Sequence, residues 1–186
     1  AVGFMGCRNT RVKVRGLREV SAPWAASVWS ERRGNWLGHG SVREWGNPNS
    51  NNYNFLWRDV EEGLAEFPGT SVVIWEICVG RRDGQGGGSN PTASQISWLE
   101  HAIDRLRTTY GYQGAIYLSG MNRYPQGWTC KLSRVPDMQD QSAALALHGQ
   151  SVLNALAGPE FVISNSGWIE ADGCQLTPEE EKDRIL

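Results

Sequence analysis

A nine-residue run near the middle of the chain, residues 71–79 (Ser-Val-Val-Ile-Trp-Glu-Ile-Cys-Val), is almost entirely apolar or β-branched. A strand exposed on one face would alternate apolar and polar residues, whereas a strand covered on both faces reads as a continuous apolar run. Strands covered on both faces belong to parallel sheets that carry helices on each side. The run therefore predicts the central strand of a parallel sheet in an α/β fold.

The rest of the chain alternates between strand and helix signals. Leu56, Val60 and Leu64 recur at a spacing of four, which predicts an amphipathic helix over residues 55–66. Thr92 and Gln95 form a capping box at the start of another helix. Further strands are predicted at Val2–Met5, within 37–45, at Ala115–Ser119 and at 161–163, and further helices over 140–157 and after Thr177. The pattern predicts a doubly wound α/β sandwich with about five parallel strands.

Size and charge limit the function further. At 186 residues the chain has the length of one domain, so we predict a single domain over residues 1–186. The net charge of -2 gives no general electrostatic attraction to nucleic acid or to an acidic membrane. No apolar run is long enough to cross a bilayer. The cysteines lack zinc-ligand spacing, and the glycine-rich residues 85–91 lack the Lys-Ser/Thr of a phosphate-binding loop, so we predict no metal and no cofactor.

Two segments are predicted to border a pocket. Residues 11–37 show no clear period, and residues 120–136 form a loop with Asn122 and Trp128 at the carboxyl edge of the sheet. Tryptophans in or near such loops offer flat apolar surfaces on which sugar rings stack. The tryptophans considered for that role are Trp24, Trp29, Trp36, Trp45 and Trp128.

The two ends of the chain carry a pair of short motifs, Gly6-Cys7-Arg8-Asn9-Thr10 and Asp172-Gly173-Cys174-Gln175. The pair resembles the first and last signature blocks of the SGNH (GDSL-like) hydrolases, in the cysteine-containing subset that reads Gly-Cys-Ser-Asn-Thr and Asp-Gly-Cys-His. The resemblance implies a flavodoxin-like SGNH hydrolase fold. It also assigns the nucleophilic serine position to Arg8, the histidine position to Gln175 and the orienting aspartate to Asp172.

The resemblance implies three further positions. A glycine of the second block lends its backbone N–H to an oxyanion hole in this family, and Gly40 is the first choice for it, with Gly38 in reserve; a glycine required only for a tight turn is the alternative. Gly80-Arg81-Arg82-Asp83 corresponds to the third block, Gly-x-Asn-Asp, so Arg82 stands where the family has an asparagine donor. Asp83 follows it at the mouth of the central strand.

Four cysteines, Cys7, Cys78, Cys130 and Cys174, allow three pairings, or four free thiols. If the first and last blocks meet as the resemblance implies, Cys7 pairs with Cys174 and Cys78 with Cys130. Disulfides would place the chain outside the cytoplasm. A chain that starts at Ala1 fits a mature secreted protein, although a trimmed cytosolic protein would look the same. We therefore expect an extracellular protein.

With Arg8 and Gln175 at the serine and histidine positions, the resemblance implies that ordinary esterase activity is lost; a different register with another nucleophile is the alternative. Three hypotheses follow. The first is a binding domain in which Arg8 and Arg82 hold a small anion or an acidic saccharide. The second is a carbohydrate-active enzyme that uses Asp172 with Asp83, Glu44 or Glu170 as paired carboxylates. The third is a degenerate structural domain in which Arg8 neutralises Asp172.

Overall fold

The computed structural model describes residues 1–7, 10, 13–14, 17, 23–30, 40–80, 83, 88–121 and 135–160. Five parallel strands form one sheet in the order β2-β1-β3-β4-β5. The strands are β1 (Val2–Met5), β2 (Val28–Ser30), β3 (Val72–Glu76), β4 (Ala115–Ser119) and β5 (Leu156–Ala157). Helices flank this sheet and give a three-layer α/β sandwich, which confirms the predicted fold class.

Four α-helices and one short 3-10 helix accompany the strands in the described part of the chain. They are the 3-10 helix Pro23–Ser27, α1 (Val42–Gly46), α2 (Tyr53–Glu66), α3 (Ala93–Thr108) and α4 (Val135–Val152). Helix α2 packs against β1 and β2, and α4 packs against β4 and β5. Helix α1 lies between α2 and α3 and contacts both of them. None of the described helices is long and apolar enough to cross a membrane.

The strongest local patterns are confirmed. Strand β3 lies in the middle of the sheet, as its apolar run predicts. Helix α3 begins at its capping box, in which the Thr92 Oγ1 accepts from the Gln95 N–H at 3.2 Å and the Gln95 Oε1 accepts from the Thr92 N–H at 2.6 Å. Its inward face carries Leu99 and Leu106, both fully buried. These patterns are confirmed because their stabilising contacts are close in sequence or depend only on burial.

Two predicted elements are wrong, and a third, the helix over 140–157, is present with different bounds. The strand expected within 37–45 is helix α1, because Ser41 and Glu44 start a helix: the Ser41 N–H donates to the Glu44 Oε2 at 3.0 Å. Strand β2 instead lies inside the segment 11–37 that was expected to be a loop. Helix α4 ends at Val152, and the chain turns through Asn154, at a positive φ of 53°, into β5. The expected strand 161–163 and the helix after Thr177 lie outside the described residues.

Tryptophans form much of the core. Trp29, Trp45, Trp57 and Trp75 are all fully buried, and Trp45 meets Trp57 edge to face at a centroid distance of 5.4 Å. Trp29 lies so close to Gly3 that a Cβ added there would stand 2.2 Å from its ring. The expectation that Trp29 and Trp45 serve as loop platforms for a ligand is therefore wrong. Both are core residues that no ligand can reach in the folded protein.

Candidate functional site

The candidate site lies at the carboxyl ends of β1 and β3. Strand β1 has β2 on one side and β3 on the other, so the chain leaves β1 in one direction and later returns on its opposite side. Open α/β sheets bind ligands in the crevice at such a reversal point. The motif that begins at Gly6 follows β1 directly, and Cys78 follows β3 by two residues.

A disulfide bond joins Cys7 to Cys78 at this edge of the sheet, with their Cα atoms 6.1 Å apart. The predicted pairings Cys7–Cys174 and Cys78–Cys130 are therefore wrong. The physical reason is the strand register: Met5 pairs with Trp75, and the chains running on from them bring the two cysteines to nearly the same level on adjacent strands. Cys130 and Cys174 lie outside the described residues.

A buried ion pair lies beneath the disulfide. The Lys13 Nζ is 3.0 Å from the Glu76 Oε2, and both side chains are less than 5% exposed, at 4% and 3%. The Thr10 hydroxyl donates to the same carboxylate oxygen at 2.5 Å and accepts from the Cys7 N–H at 3.2 Å. This group connects the turn after β1 to the end of β3.

Lys13 and Glu76 were not among the residues predicted for the site. A signal for Glu76 was present, because it is the one charge in an otherwise apolar run that was expected to be buried on both faces. A buried carboxylate requires a partner, since an uncompensated charge in the protein interior costs several kcal/mol. The sequence does not indicate which of the basic residues is that partner.

Gly40 lies where the second block was expected, against the turn after β1. A Cβ added to Gly40 would be 1.9 Å from the Gly6 carbonyl oxygen, and its φ of 108° is a conformation that favours glycine. Its backbone N–H donates to the Glu44 Oε2 at 2.5 Å. The group that the resemblance assigns to an oxyanion hole is therefore occupied here by a side chain of the same protein.

Asp83 is a buried carboxylate at the same edge. Its Oδ2 accepts from the Gly80 N–H at 3.2 Å, and its Oδ1 is 3.8 Å from the Arg43 guanidinium. Burial raises the pKa of Asp83 above its ordinary value, although the hydrogen bond from the Ser41 side chain and the charge of Arg43 partly oppose this. The carboxylate thus connects the loop after β3 to the start of α1.

A network of buried amides and a hydroxyl supports the loop that contains Asp83. The Gln95 Nε2 donates to the Asp83 carbonyl at 3.1 Å and to the Gln141 Oε1 at 2.9 Å. The Ser142 hydroxyl donates to the Ile77 carbonyl and accepts from the Met121 N–H at 2.7 Å. Gln95, Gln141 and Ser142 are fully buried, and sequence reasoning missed this network apart from the capping role of Gln95.

Four of the predicted site residues, Cys7, Gly40, Cys78 and Asp83, are described, and all four lie at this edge. Contacts among their neighbours connect them: Ser41 bridges to Cys78, and a Cβ added at Gly80 would be 3.5 Å from the Ser41 Cβ. The remaining predicted site residues lie outside the described residues; they are Arg8, Arg82, Asn122, Trp128, Cys130, Asp172, Cys174 and Gln175.

Among the described residues, one group of side chains has the composition of a metal site. The sulfur atoms of Cys7 and Cys78 and a carboxylate oxygen of Glu76 lie within 4.8 Å of one another. Thiolate is the form of cysteine that binds metals, and the two sulfur atoms are bonded to each other here. The oxidised protein therefore offers only the carboxylate of this group, which Lys13 already pairs.

Comparisons of the chain with protein-family models, with curated proteins and with solved structures found no match. The resemblance to the SGNH hydrolases therefore depends on the motifs of the sequence itself, and the function must be argued from the site.

Proposed function

We propose that this chain is an SGNH hydrolase-like domain that has lost serine-esterase chemistry and binds a small anion or an acidic saccharide at the carboxyl edge of its sheet. Arg8 and Arg82 are the proposed anchors. Arginine suits this role because its planar guanidinium can donate two parallel hydrogen bonds to a carboxylate, sulfate or phosphate group. Serine and histidine are missing from the corresponding triad positions, Arg8 and Gln175.

The observation that carries this proposal is the contact of Cys7 and Asp83 with one short segment, Gly40-Ser41. A Cβ on Gly40 would be 3.1 Å from the Cys7 Cα, and the Ser41 side chain hydrogen-bonds to Asp83. Cys7 precedes Arg8 in the chain, and Asp83 follows Arg82. This sequence adjacency to two residues of one edge supports the proposal that Arg8 and Arg82 bind a shared ligand.

The described charges around the crevice also favour an anion. Glu76 is paired with Lys13, and Asp83 lies 3.8 Å from Arg43. Neither carboxylate therefore requires Arg8 or Arg82 as its counter-ion. Two arginines added to a cluster in which Glu76 and Asp83 already have cations make the local charge more favourable to a negatively charged ligand.

Stacking surfaces for a saccharide must come from other tryptophans than Trp29 and Trp45, which are buried. Trp24, Trp36 and Trp128 remain candidates for this role. We therefore propose that the arginines supply most of the affinity and that any aromatic contribution comes from these three residues.

The second candidate function is a carbohydrate-active enzyme, and the raised pKa of Asp83 is the observation that favours it. A general acid must hold its proton near the working pH, and burial of Asp83 moves its pKa in that direction. However, the Asp83 carboxylate accepts from Gly80, and Glu44 accepts from Gly40, Ser41 and Asn52. These bonds use both carboxylates to hold loops together, so binding remains the better-supported proposal.

Titration of tryptophan fluorescence with sulfated and uronic-acid oligosaccharides, and with inorganic sulfate, tests the proposal. We expect saturable binding that Arg8→Ala and Arg82→Ala each weaken by about tenfold or more, since a charge-assisted hydrogen bond contributes about 1.5–3 kcal/mol. Arg8→Lys and Arg82→Lys keep the charge but lose the paired donors, so they should recover only part of the affinity.

The matched control is Arg58→Ala, which removes the same charge from the exposed surface of α2, where the guanidinium lies over the Phe55 ring. It should bind like the parent protein. A parent protein that responds to no member of the panel would contradict the binding proposal and favour a degenerate domain. Hydrolysis of an oligosaccharide that Asp83→Asn abolishes would favour the enzyme.

We also propose that the protein works outside the cytoplasm. The Cys7–Cys78 disulfide supports this, because disulfides persist mainly in oxidising compartments. Expression in a reducing and in an oxidising compartment, followed by non-reducing peptide mapping, tests the proposal. Recovery of Cys7 and Cys78 as free thiols from protein isolated from its natural source would contradict it.

A further inference from the structure

The two sulfur atoms of the Cys7–Cys78 disulfide have different surroundings. Cys78 is buried, with 4% of its surface exposed, whereas Cys7 is half-buried. A thiol that approaches from solvent therefore meets the Cys7 sulfur first. In thiol–disulfide exchange, the incoming thiolate attacks one sulfur while the other sulfur leaves. The difference in exposure therefore determines which cysteine forms the mixed disulfide.

The disulfide is also not the main connection between its two strands. Strands β1 and β3 are joined by a parallel ladder that runs from Val2–Val72 to Met5–Trp75. The Trp45 Nε1 donates to the Gly6 carbonyl at 3.0 Å and holds the turn after β1 from another direction. These interactions remain when the sulfur–sulfur bond is cleaved, so the fold can survive reduction.

The buried ion pair lies close to the leaving sulfur. A carboxylate oxygen of Glu76 is within 4.8 Å of both sulfur atoms, and Lys13 is 3.0 Å from that carboxylate. The leaving sulfur departs as a thiolate, and a nearby carboxylate alone would disfavour that anion; the Lys13 ion pair offsets the charge of Glu76.

We propose that the Cys7–Cys78 disulfide undergoes thiol–disulfide exchange with small thiols in the folded protein, and that Cys7 is the sulfur attacked. A thiolate RS⁻ forms a bond to the Cys7 sulfur, the Cys7–Cys78 bond breaks, and Cys78 leaves as a thiolate. A second thiolate then attacks the outer sulfur of the mixed disulfide, giving RSSR and the Cys7 thiolate. Two thiols are oxidised, the disulfide is reduced by two electrons, and the two protons lost by the thiols end on Cys7 and Cys78.

The first test measures reduction of the native protein by 2-mercaptoethanol, with alkylation and mass mapping of the Cys7 and Cys78 peptides. The global unfolding rate is measured separately by pulse proteolysis. We expect the reduction rate to rise linearly with thiol concentration and to exceed the unfolding rate by at least about tenfold. We also expect the reduced protein to keep a cooperative thermal transition. A rate that equals the unfolding rate and does not depend on thiol concentration would overturn the proposal.

The second test identifies the attacked sulfur. A limiting amount of glutathione is added to the native protein, the reaction is quenched with acid, and the mixed disulfide is located by mass spectrometry. The adduct should be on Cys7, and an adduct on Cys78 would overturn the assignment. In the single variants, iodoacetamide should alkylate the free Cys7 of Cys78→Ser at least about tenfold faster than the free Cys78 of Cys7→Ser.

Because the trapping experiment uses the unmodified protein, it remains decisive if either single variant fails to fold. The first test uses 2-mercaptoethanol, which has no carboxylate, sulfate or phosphate group, so its result does not depend on the proposed anion site. Failure to bind any anion would leave exchange with 2-mercaptoethanol unchanged, and absence of exchange would leave anion binding by Arg8 and Arg82 unchanged.

Discussion

The backbone N–H of Gly40 donates a hydrogen bond of 2.5 Å to the carboxylate of Glu44. The same carboxylate oxygen accepts from the Ser41 N–H at 3.0 Å, and the other oxygen accepts from the Asn52 amide at 2.6 Å. The Glu44 carboxylate thus binds both the Ser41 N–H at the start of α1 and the Gly40 N–H that the resemblance assigns to an oxyanion hole. A developing negative charge in the crevice would have to displace Glu44 before Gly40 could stabilise it.

Placing serine and histidine at the two triad positions that the resemblance assigns tests this arrangement. Arg8→Ser with Gln175→His should give a small gain in hydrolysis of a short activated acetate ester, and each single change should give almost none. Adding Glu44→Ala frees the Gly40 N–H, and we expect a further gain of roughly tenfold or more, because one oxyanion donor contributes about 100-fold or more in rate. Substantial esterase activity in the parent protein would contradict the assignment of Arg8 and Gln175.

Gly40→Ala should strongly destabilise the fold. The added methyl group would collide with the Gly6 carbonyl at 1.9 Å, in a backbone conformation that non-glycine residues rarely adopt. We expect a loss of about 3 kcal/mol or more in the free energy of unfolding, measured in urea. Gly69→Ala is the control, because a Cβ there has nothing within 4 Å, and its effect should stay within about 0.5 kcal/mol. Equal effects of the two changes would show that Gly40 does not approach Gly6.

The buried pair of Lys13 and Glu76 should behave unlike a surface ion pair. Lys13→Met leaves the Glu76 carboxylate buried without this cation, and the expected cost is about 3–5 kcal/mol in urea unfolding. Lys13→Met/Glu76→Gln removes both charges while Thr10 keeps an acceptor, so it should cost less than Lys13→Met alone.

The control for this cycle is Glu100→Gln, which breaks the more exposed pair of Glu100 with His148. Its cost should be about 1 kcal/mol or less. A double variant as unstable as the sum of its single variants would show that the two charges do not interact.

Asp83 predicts a specific pH dependence. Because its pKa is raised in the folded protein, the folded state binds this proton more tightly than the unfolded chain does. Its contribution to the free energy of unfolding is therefore greatest below the ordinary pKa of 3.8 and falls as the pH rises through the raised value. The free energy of unfolding is measured in urea from pH 3 upward, which starts roughly one unit below that ordinary value. The variant Asp83→Asn should lack the decrease that Asp83 causes as the pH rises. The control variant is Asp140→Asn, which changes an exposed residue of α4 and should retain this decrease in stability with pH.

The sequence predicts those parts of the fold whose signals are local or set by burial. The apolar run of β3 and the capping box of α3 require no knowledge of distant residues, and both were interpreted correctly. Helix α1 had a signal of the same kind, Ser41 followed by Glu44, but the glycines before it favoured a turn and strand. The error was therefore one of interpretation.

The site is harder to predict because its contacts join distant parts of the chain. Cys7 and Cys78 are separated by 71 positions, and nothing near either residue distinguishes the correct partner from Cys130 or Cys174. The same is true of Lys13, which is one of many basic residues in its segment. The order of strands decides both pairings, and that order is a property of the whole sheet.

The position of β1 has a consequence during protein synthesis. Val2 pairs with Val28 on one side and with Val72 on the other, so the inner partner of this apolar strand is made about 70 residues after it. At about 5–20 residues per second, the ribosome needs on the order of 4 to 14 s to reach β3. Throughout that interval the nascent chain carries β1 with the edge that will pair with β3 uncovered. The interval is therefore the period in which a chaperone that covers apolar strands would benefit this protein most.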